Sequence, residues 1–293
     1  TVPTILVDKT LTAMALISNQ LTGNPSQKLK LIGITGTNGK TTVTHLIEKI
    51  LEKHGKSCGL IGTLGNRQTN SKGYQETKHT TPQAPELQKC LKKMQEENIE
   101  YTVMEVSSHS LEQDRVLGCN FKTGVLTNIT QDHLDFHITM DNYANAKAKL
   151  FKMLKAPSKD PKYAIINNDD PMAEKFISET PDNAHIITYS INNNSDVQAK
   201  NICYSFEGTT FTCKTSDGTF DMELNLKGQF SVYNSLAAIC VALSENIPVK
   251  TIQEALKHVE NIPGRFEVVY KEPLIIVDYA HTPDGLENIL CAA

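Results

Sequence analysis

The chain has 293 residues, of which 39% are hydrophobic and 21% charged, and its net charge is −4. This length predicts about two domains at roughly 150 residues each, and the composition is typical of a soluble globular protein rather than a disordered one. The nearly balanced charge excludes a nucleic-acid binder held by a strongly basic surface, and the sequence has no apolar run near the ~20 residues that a membrane span needs.

The seven cysteines are scattered along the chain and form no C-x-x-C pair. Disulfide frameworks and cysteine zinc sites need tighter grouping, so reduced thiols are expected. Because no basic-then-apolar signal peptide opens the sequence, we expect a cytoplasmic protein. The first residue is Thr1 and the last residues, Cys291–Ala293, lie in a predicted helix, so we expect a fragment of a longer protein.

Strand-like and helix-like segments alternate through the middle of the chain. After one N-terminal helix and a polar linker, we expect strands at 29–35, 101–106, 123–128, 163–167 and 185–189 and helices at 40–54, 83–97 and 141–155. Helices of this length between strands imply right-handed crossovers. The predicted fold class is therefore α/β, with a mainly parallel sheet that carries helices on both faces.

The pattern changes at 197–227, where short strands alternate with turn signals. This pattern predicts an antiparallel flank on the sheet. Two helices follow at 232–245 and 251–259, and a Pro-Gly pair then breaks the chain before a new apolar strand at 274–278. The predicted regions are residues 1–26, 27–262 and 263–293.

The strongest chemical signal is the sequence GITGTNGKTT at Gly33–Thr42, between a predicted strand and a predicted helix. Glycines let backbone N–H groups turn toward phosphate oxygens, and the helix N-terminus adds its positive end. Lys40 would reach the β- and γ-phosphates of a nucleotide, and the Thr41 hydroxyl would bind Mg²⁺. The spacing departs from G-x-x-x-x-G-K-[ST], because Ile34 stands where the first glycine is expected. A glycine-rich turn that only begins a helix would leave the Lys-Thr pair unexplained.

Glu105 ends the predicted strand at 101–106. A carboxylate at the carboxyl end of a strand beside a phosphate loop is well placed to bind Mg²⁺, a hard cation that prefers oxygen ligands. His133 and His137 are spaced i, i+4, as in a zinc pair. No glutamate of the HExxH kind separates them and no third soft ligand is evident, so zinc is the weaker hypothesis and a structural role is expected for His137.

Lys147 is the most informative single residue. It falls on the apolar stripe of the predicted helix 141–155, in line with Tyr143 and Leu150. An inward-pointing lysine must pair with an anion or lose its proton, because burial lowers its pKa. A neutral amine can react with CO₂ to give a carbamate, which turns a cation into a magnesium ligand. From the residues alone, this interpretation and the alternative, a lysine whose ammonium reaches water, are equally supported.

The loop GTNGKTT resembles the ATP loop of the Mur ligases, which add amino acids to the peptide of the bacterial cell-wall precursor. The resemblance covers nearly the whole chain, with motifs in the family's order: HTTP (79–82), MEVSSHSLEQDRV (104–116), TNITQDHLDFH (127–137), YANAKAKLF (143–151), GRFEVV (264–269) and VDYAHTPD (277–284). Several long motifs in one order are far more specific than a phosphate loop alone.

The resemblance implies a protein of three domains. Residues 1–26 would be the tail of an N-terminal UDP-binding domain with its linker, and 27–262 the central ATP-binding domain. Residues 263–293 would start a truncated, Rossmann-like domain that binds the incoming amino acid. We therefore expect this piece to be a monomer that binds Mg-ATP but ligates poorly on its own.

The resemblance is closest to the family member that adds the third amino acid. It implies an ATP-dependent ligase that joins meso-diaminopimelate or L-lysine to UDP-N-acetylmuramoyl-L-alanyl-D-glutamate through an acyl phosphate. ATP and two Mg²⁺ ions are the implied cofactors, and no nucleic-acid or membrane partner is implied. Three alternatives stay open: a folylpolyglutamate-type ligase, a plain P-loop NTPase, and a non-catalytic ATP-binding remnant.

The resemblance also assigns roles to individual residues. The implied ATP contacts are Gly36, Thr37, Asn38, Gly39, Lys40, Thr41, Thr42, Asn234, Arg265 and Asp278. The implied contacts to the muramoyl peptide are His79, Thr80, Thr81, Ser107, Gln113 and Arg115. The implied magnesium ligands are Thr41, Glu105, His133 and a carbamylated Lys147, and the implied catalytic residues are Lys40, Lys147, His133 and Arg265. Two positions depart from the family's pattern: His79, where relatives commonly carry Asn, and Ser231, which replaces the first Asn of G-x-F-N-x-x-N.

Overall fold

One mixed sheet organises the part of the chain that the computed structural model describes, residues 4–68, 73–205 and 207–293. Its ten strands within those ranges are β1 Lys30–Thr35, β2 Cys58–Gly62, β3 Gly65–Gln68, β4 Tyr101–Glu105, β5 Phe121–Leu126, β6 Lys162–Asn167, β7 Ala184–Ser190, β8 Val197–Tyr204, β9 Thr209–Thr215 and β10 Gly218–Leu224. They lie in the order β10-β9-β8-β7-β6-β5-β1-β4-β2-β3. Neighbours from β8 across to β2 are parallel, whereas β3, β9 and β10 join antiparallel. The predicted parallel sheet with an antiparallel flank is confirmed.

Helices cover both faces of the sheet, as predicted. The α-helices of the described residues are α1 Thr10–Leu21, α2 Lys40–Lys53, α3 Ala84–Glu96, α4 Ser108–Glu112, α5 Leu134–His137, α6 Met140–Lys152, α7 Ala173–Ser178, α8 Gln229–Ser244, α9 Val249–Lys257 and α10 Pro283–Ala292. Short 3-10 helices form at Pro25–Gln27 and Met153–Lys155. The core on one face packs α2, α8 and α9, and the core on the other packs α3, α6 and α7. No helix of these described stretches is both long and apolar enough to cross a membrane.

Strand β1 shows why the sheet takes helices on both sides. Its side chains alternate between the two cores, with Ile32 and Ile34 in one and Leu31 in the other, and all three are fully buried. A parallel strand that is buried on both faces reads as a continuous apolar run rather than an alternating one. The run LKLIGIT therefore predicted the central strand correctly.

The sequence analysis missed β2 and β3, together with the short helices α4, α5 and α7. Strand β2 contains Gly59 and Gly62, and glycine weakens a strand signal. Both glycines are required by close neighbours, because a Cβ on Gly59 would lie 2.6 Å from the Met94 sulfur and one on Gly62 would overlap the Glu105 carboxylate. The strand is hard to recognise from its local sequence, because its glycines serve the packing of α3 and β4 rather than strand formation.

Strand β1 is the point at which the chain reverses its direction across the sheet. The chain leaves β1 for β2 on one side, with β4 later inserted between them, and then returns to β5 on the other side. In open α/β sheets, the loops that follow such strands border a crevice at their carboxyl ends. The phosphate loop follows β1 directly and so opens into this crevice.

A separate hairpin follows the sheet domain. It consists of β11 Glu267–Lys271 and β12 Leu274–Val277, which pair antiparallel, and it leads into α10. The predicted strand at 274–278 is confirmed, whereas β11 was not predicted. The domain boundary at residue 263 and the Rossmann-like character of residues 263–293 stay predictions.

Candidate active site

A cavity of about 560 Å³ lies at the carboxyl ends of the parallel strands. The phosphate loop, the ends of β4 to β6, the start of α8 and the segment after residue 263 border it. The predicted ATP residues that line it are Thr37, Asn38, Gly39, Lys40, Thr41, Thr42, Asn234, Arg265 and Asp278. The structure thus brings together side chains that are up to 241 positions apart in the printed sequence, counted from residue 37 to residue 278.

Two glycines with positive φ shape the phosphate loop, Gly36 at 143° and Gly39 at 86°. Such angles favour residues without a Cβ. A Cβ on Gly36 would overlap the Thr127 hydroxyl, and one on Gly39 would overlap the Asn234 amide. These two positions let the loop turn tightly against its neighbours and start α2 at the cavity.

The loop is fixed from behind by the segment that follows β5. The Asn128 carbonyl accepts from Thr37 N at 2.8 Å, and the Asn128 Oδ1 accepts from Asn38 N at 2.9 Å. The Thr127 hydroxyl donates to the Asn38 carbonyl at 2.6 Å. The sequence analysis assigned no role to Asn128, although it lies in the quoted stretch TNITQDHLDFH.

Two lysines converge on one carbonyl oxygen of the loop. Lys40 Nζ donates to the Gly36 carbonyl at 2.9 Å and to the Thr37 carbonyl at 2.6 Å. Lys147 Nζ donates to the same Gly36 oxygen at 2.8 Å, and its amine lies 4.4 Å from the centre of the Tyr143 ring. Lys147 is only 1% exposed, so the inward direction predicted for it is confirmed.

The electrostatics of this pair favour a neutral amine. Burial lowers the pKa of Lys147 well below its ordinary value, and the neighbouring Lys40 lowers it further. Burial also lowers the pKa of Lys40, against an opposing effect of the Glu105 carboxylate. Two ammonium groups on one carbonyl oxygen repel each other in a poorly solvated site. The arrangement therefore supports one neutral, nucleophilic amine beside the phosphate loop.

Glu105 and Thr41 form an oxygen-rich corner next to these lysines. The Thr41 hydroxyl donates to Glu105 Oε1 at 3.0 Å. Thr63 holds the carboxylate from the other side, with its N–H 2.9 Å from Oε1 and its hydroxyl 3.0 Å from Oε2. No sequence signal pointed to Thr63, because the strand that precedes it was missed.

This corner fits a magnesium ion. A hydroxyl and a carboxylate are the hard oxygen donors that Mg²⁺ prefers, and Mg²⁺ usually binds through one or two carboxylates together with phosphate oxygens and water. Among the residues that the structure describes, no group of three or more His, Cys, Asp or Glu side chains could hold a metal by themselves. Protein oxygens here can supply only part of a coordination shell, as expected of a site shared with a nucleotide.

His133 lies on the opposite wall of the cavity with a positive φ of 51°. Its Nε2 is 3.3 Å from Asp132 Oδ2, and its ring stacks edge-on against His109 with 4.7 Å between ring centres. Burial lowers the pKa of His133, and Asp132 acts in the opposite direction. His137 is buried against His109 and Tyr143, and its Nε2 has no hydrogen-bond partner among the described residues, so the structural role expected for it stays a prediction.

Of the six residues predicted to contact the muramoyl peptide, two line the cavity and four do not. Thr80 and Ser107 line the cavity, whereas His79 is exposed outside it. Thr80 shares a hydrogen bond of 3.1 Å with Thr63, and Ser107 begins α4 by accepting from Ser110 N at 3.1 Å. Thr80 and Ser107 are therefore placed to reach a molecule in the cavity.

The other three lie behind the wall and hold it in place. The Thr81 hydroxyl donates to the Glu105 carbonyl at 2.8 Å. Arg115 donates to the Thr81 carbonyl at 2.9 Å and, through two N–H groups, to Gln113 Oε1 at 3.0 and 2.6 Å. The contacts predicted from these side chains to a substrate stay predictions.

The segment after residue 263 touches the phosphate loop at two points. Arg265 donates to the Thr41 hydroxyl at 2.9 Å, and its guanidinium lies 5.0 Å from the centre of the Tyr279 ring. The Asn38 amide donates to Asp284 Oδ2 at 2.8 Å. Asp284 stands in the stretch VDYAHTPD, but the sequence analysis assigned no role to it.

Asp278 and Asn234 also line the cavity. Asp278 accepts from Phe266 N and Ala280 N, both at 2.6 Å, and so shapes the turn beside Arg265. Asn234 lies against the loop at Gly39.

Comparison with known proteins agrees with this geometry. The sequence model of the Mur ligase middle domain matches residues 34–242. A Bacillus cereus protein named UDP-N-acetylmuramoyl-L-alanyl-D-glutamate–2,6-diaminopimelate ligase is 45% identical over 296 residues, which cover 100% of this chain and 60% of that protein. A Clostridium botulinum protein of the same name is 46% identical over 285 residues, which cover 96% and 57%.

Two solved structures give the same result at the level of the fold. One, described as the structure of a UDP-N-acetylmuramoyl-L-alanyl-D-glutamate–2,6-diaminopimelate ligase, matches with a TM-score of 0.81 at 33% identity over 96% of this chain and 58% of its own. The Mycobacterium tuberculosis folylpolyglutamate synthase matches with a TM-score of 0.81 at 17% identity over 96% and 70%, and so shares the fold alone. The chain spans about 60% of the length of the curated relatives that it matches. Because the middle-domain model covers most of it, the chain belongs to the Mur ligase family.

Proposed function

We propose that this chain is the central part of an ATP-dependent ligase that adds the third amino acid to UDP-N-acetylmuramoyl-L-alanyl-D-glutamate. The proposed amino acid is 2,6-diaminopimelate, because the relatives at 45–46% identity carry that name. The observation that carries the proposal is the pair Lys40 and Lys147 on the Gly36 carbonyl, beside the corner formed by Thr41 and Glu105. A phosphate loop with a second, buried amine fits phosphoryl transfer to a carboxylate better than simple nucleotide storage.

The nucleotide would bind along the phosphate loop with its phosphates at the start of α2. Backbone N–H groups and the positive helix end attract phosphate there. Lys40 would neutralise charge on the β- and γ-phosphates. Asn234 would contact the base, as the family resemblance implies, and Arg265 and Asp278 would approach from the segment beyond residue 263.

Thr41 and Glu105 would hold Mg²⁺, with His133 and a carbamate on Lys147 at a second ion. In the carbamate reaction, the neutral Lys147 nitrogen forms a bond to the carbon of CO₂ and loses a proton, which leaves one negative charge on the new carboxylate. Burial of this amine beside Lys40 supports the reaction. When bound, the metal stabilises the negative charge that accumulates between the two reacting anions.

The chain's own residues would position the reacting groups. The substrate carboxylate forms a bond to the γ-phosphorus, and the bond to the bridging oxygen breaks with its electron pair on ADP. The amine of the amino acid then attacks the acyl carbon, phosphate leaves, and the amine loses a proton. Lys40 and Arg265 would offset charge in the first step, which needs positioning more than covalent help.

The proposed location is the cytoplasm, and the proposed state is a monomer. All seven cysteines lie in the described part of the chain as reduced thiols, five of them at least partly buried, which suits a reducing compartment.

The test measures phosphate release in a chain completed at both ends on the pattern of the relatives. With ATP, Mg²⁺ and diaminopimelate present, we expect release only when UDP-muramoyl dipeptide is added. Release without the dipeptide would indicate a plain NTPase, and release that needs a folate would indicate a folylpolyglutamate-type ligase. Nucleotide binding without any release would identify a non-catalytic remnant.

A further inference from the structure

Residues 74–81 connect β3 to α3 and are called here the β3–α3 segment. They include Thr80, which lines the cavity and shares a hydrogen bond of 3.1 Å with Thr63. The next residue, Thr81, donates to the Glu105 carbonyl at 2.8 Å. The end of the segment nearest α3 is therefore fixed to the oxygen-rich corner of the site.

The other end of the segment is fixed to β3 and to α2, the helix that follows the phosphate loop. Gln75 exchanges two backbone hydrogen bonds with Asn66, at 2.8 and 2.9 Å. The Tyr74 hydroxyl lies 2.8 Å from His45 Nε2, and His45 Nδ1 lies 2.7 Å from the Thr41 carbonyl. A carbonyl can only accept, so Nδ1 carries the proton, and in the neutral ring Nε2 accepts from the Tyr74 hydroxyl. One imidazole thus joins the loop's threonine to the segment.

The tyrosine is held on its face as well as at its hydroxyl. The Arg67 guanidinium lies over the Tyr74 ring, 4.9 Å from the ring centre. Arg67 in turn pairs with Glu48, which is fully buried and stands three residues after His45 on α2. Both supports of the ring therefore run back to α2, the helix that the phosphate loop starts.

We propose that His45 and Tyr74 are positioning residues that couple occupancy of the phosphate loop to the binding of the muramoyl dipeptide at Thr80, the residue of the β3–α3 segment that lines the cavity. The inference rests on the proposed function. The atoms that touch nucleotide belong to Thr41 and its neighbours, and the atoms that touch the sugar peptide belong to Thr80 and its neighbours. The imidazole and the phenol stand between these groups and reach neither substrate directly. A shift of Thr41 on nucleotide binding is passed to Tyr74 through two hydrogen bonds.

The test measures the dissociation constant of UDP-muramoyl dipeptide with and without a non-hydrolysable ATP analogue and Mg²⁺, in the completed chain. In the parent protein we expect the analogue to tighten dipeptide binding. In Tyr74→Phe, which keeps the ring under Arg67, we expect that tightening to fall about fivefold, the size of one hydrogen bond. The dissociation constant without nucleotide should stay within about twofold of the parent value.

A double-mutant cycle sharpens the result. His45→Leu removes both hydrogen bonds of the imidazole and should reduce the tightening as much as Tyr74→Phe, and the double variant should reduce it no further. His45→Gln keeps an amide oxygen that can accept from Tyr74 and should restore part of the tightening. Tyr163→Phe is the matched control, because Tyr163 stacks on His185 with 5.5 Å between ring centres, far from the cavity.

The outcomes separate the inference from the function on which it rests. A parent protein that does not bind the dipeptide in either condition would contradict the proposed function. A parent protein that binds it equally well with and without the analogue would overturn the coupling alone. Tyr74→Phe weakening both dissociation constants equally would show a merely structural role and would also overturn it.

Discussion

Two pairs of lysines at opposite ends of the parallel sheet differ in the groups that their amines contact. At the carboxyl ends, Lys40 and Lys147 both donate to the Gly36 carbonyl, and neither forms an ion pair within 4 Å among the described residues. At the amino ends, Lys122 pairs with Glu245 at 2.6 Å, and both side chains are largely buried. Lys40 and Lys147 therefore share a neutral acceptor, whereas Lys122 has a carboxylate partner.

This difference fits the proposed binding site at the carboxyl ends and a structural cluster at the amino ends. An unpaired buried cation costs free energy unless it loses its proton or meets an anion. Lys162, at the amino end of β6, is also buried without an ion pair, but its amine has two neutral oxygen acceptors to itself, whereas Lys40 and Lys147 share the Gly36 carbonyl. Also at the amino ends, Tyr101 donates to Glu245 at 2.7 Å and accepts from Lys30 at 2.9 Å, so the charges are satisfied by the fold itself.

The substitution with the largest expected effect is Lys147→Met. We expect phosphate release that depends on the dipeptide to fall at least about a thousandfold, because the proposed carbamate ligand of the second metal cannot form on methionine. The free energy of unfolding should fall by no more than about 1 kcal/mol, since a costly buried amine is replaced by an apolar side chain. Ligation kinetics and thermal unfolding measure the two effects.

Lys149→Met is the control on the same helix, because Lys149 is exposed and pairs with Glu112 at 2.7 Å. It should leave both measurements unchanged. Added bicarbonate should not restore Lys147→Met. Full activity of that variant would show that the reaction does not need Lys147.

Lys40→Met should have the next largest effect. We expect the dissociation constant for Mg-ATP to rise about a hundredfold, because one charge opposite the β- and γ-phosphates is lost. Isothermal titration of the 293-residue chain with the nucleotide measures it. Lys49→Met, further along α2 and paired with Glu52 at 2.8 Å, is the control and should bind nucleotide like the parent chain. Equal affinities in the two variants would count against the loop assignment.

At the amino ends, Glu245→Gln should show the reverse behaviour. Removing one partner of a buried pair leaves Lys122 uncompensated, and we expect the free energy of unfolding to fall by about 3 kcal/mol. Nucleotide affinity should not change. Glu223→Gln, which breaks an exposed pair with Lys257, should cost less than about 0.5 kcal/mol. Chemical denaturation of both variants gives the comparison, and a similar cost in each would refute it.

The last expected effect is a pH dependence of stability carried by His45. Burial lowers the pKa of His45 to about 4, against about 6.5 in the unfolded chain. Between these values the unfolded state binds more protons, so the folded state loses stability as the pH falls from 6.5 to 4. We expect the parent chain to lose up to about 3 kcal/mol more than His45→Gln across that window, a limit set by about 1.36 kcal/mol per pKa unit. Denaturation at about pH 7 and pH 4 measures the difference, and parallel curves would disprove it.

Much of the fold could be predicted from the sequence because its central strands and helices carry strong periodic signals. The run at β1 and the apolar stripe of α6 placed both the phosphate loop and Lys147 correctly. Strand β2 was not predicted, because glycines weaken a strand signal. Gly59 and Gly62 are explained by the close approach of Met94 and Glu105, which are distant in the sequence. Short helices such as α5 offer too few turns for a periodicity to show.

The site was predictable where chemistry sits in contiguous motifs and not where it depends on packing. The loop residues and Glu105, chosen from residue type and spacing, border one cavity in the structure, and their roles stay predictions. Thr63 was not chosen, because its contact with Glu105 exists only once β2 and β4 are adjacent. Arg115 shows the opposite case, since a guanidinium suited to an anion donates to Thr81 and Gln113 in the structure.

Two hydrogen bonds, from Arg265 to Thr41 and from Asn38 to Asp284, hold the segment after residue 263 against the phosphate loop. Arg265 and Asp284 line the same cavity as the phosphate loop, so we expect this segment to cover a nucleotide that binds there. On the proposed function, we expect release of the nucleotide to depend on residues more than 220 positions away from the phosphate loop along the chain.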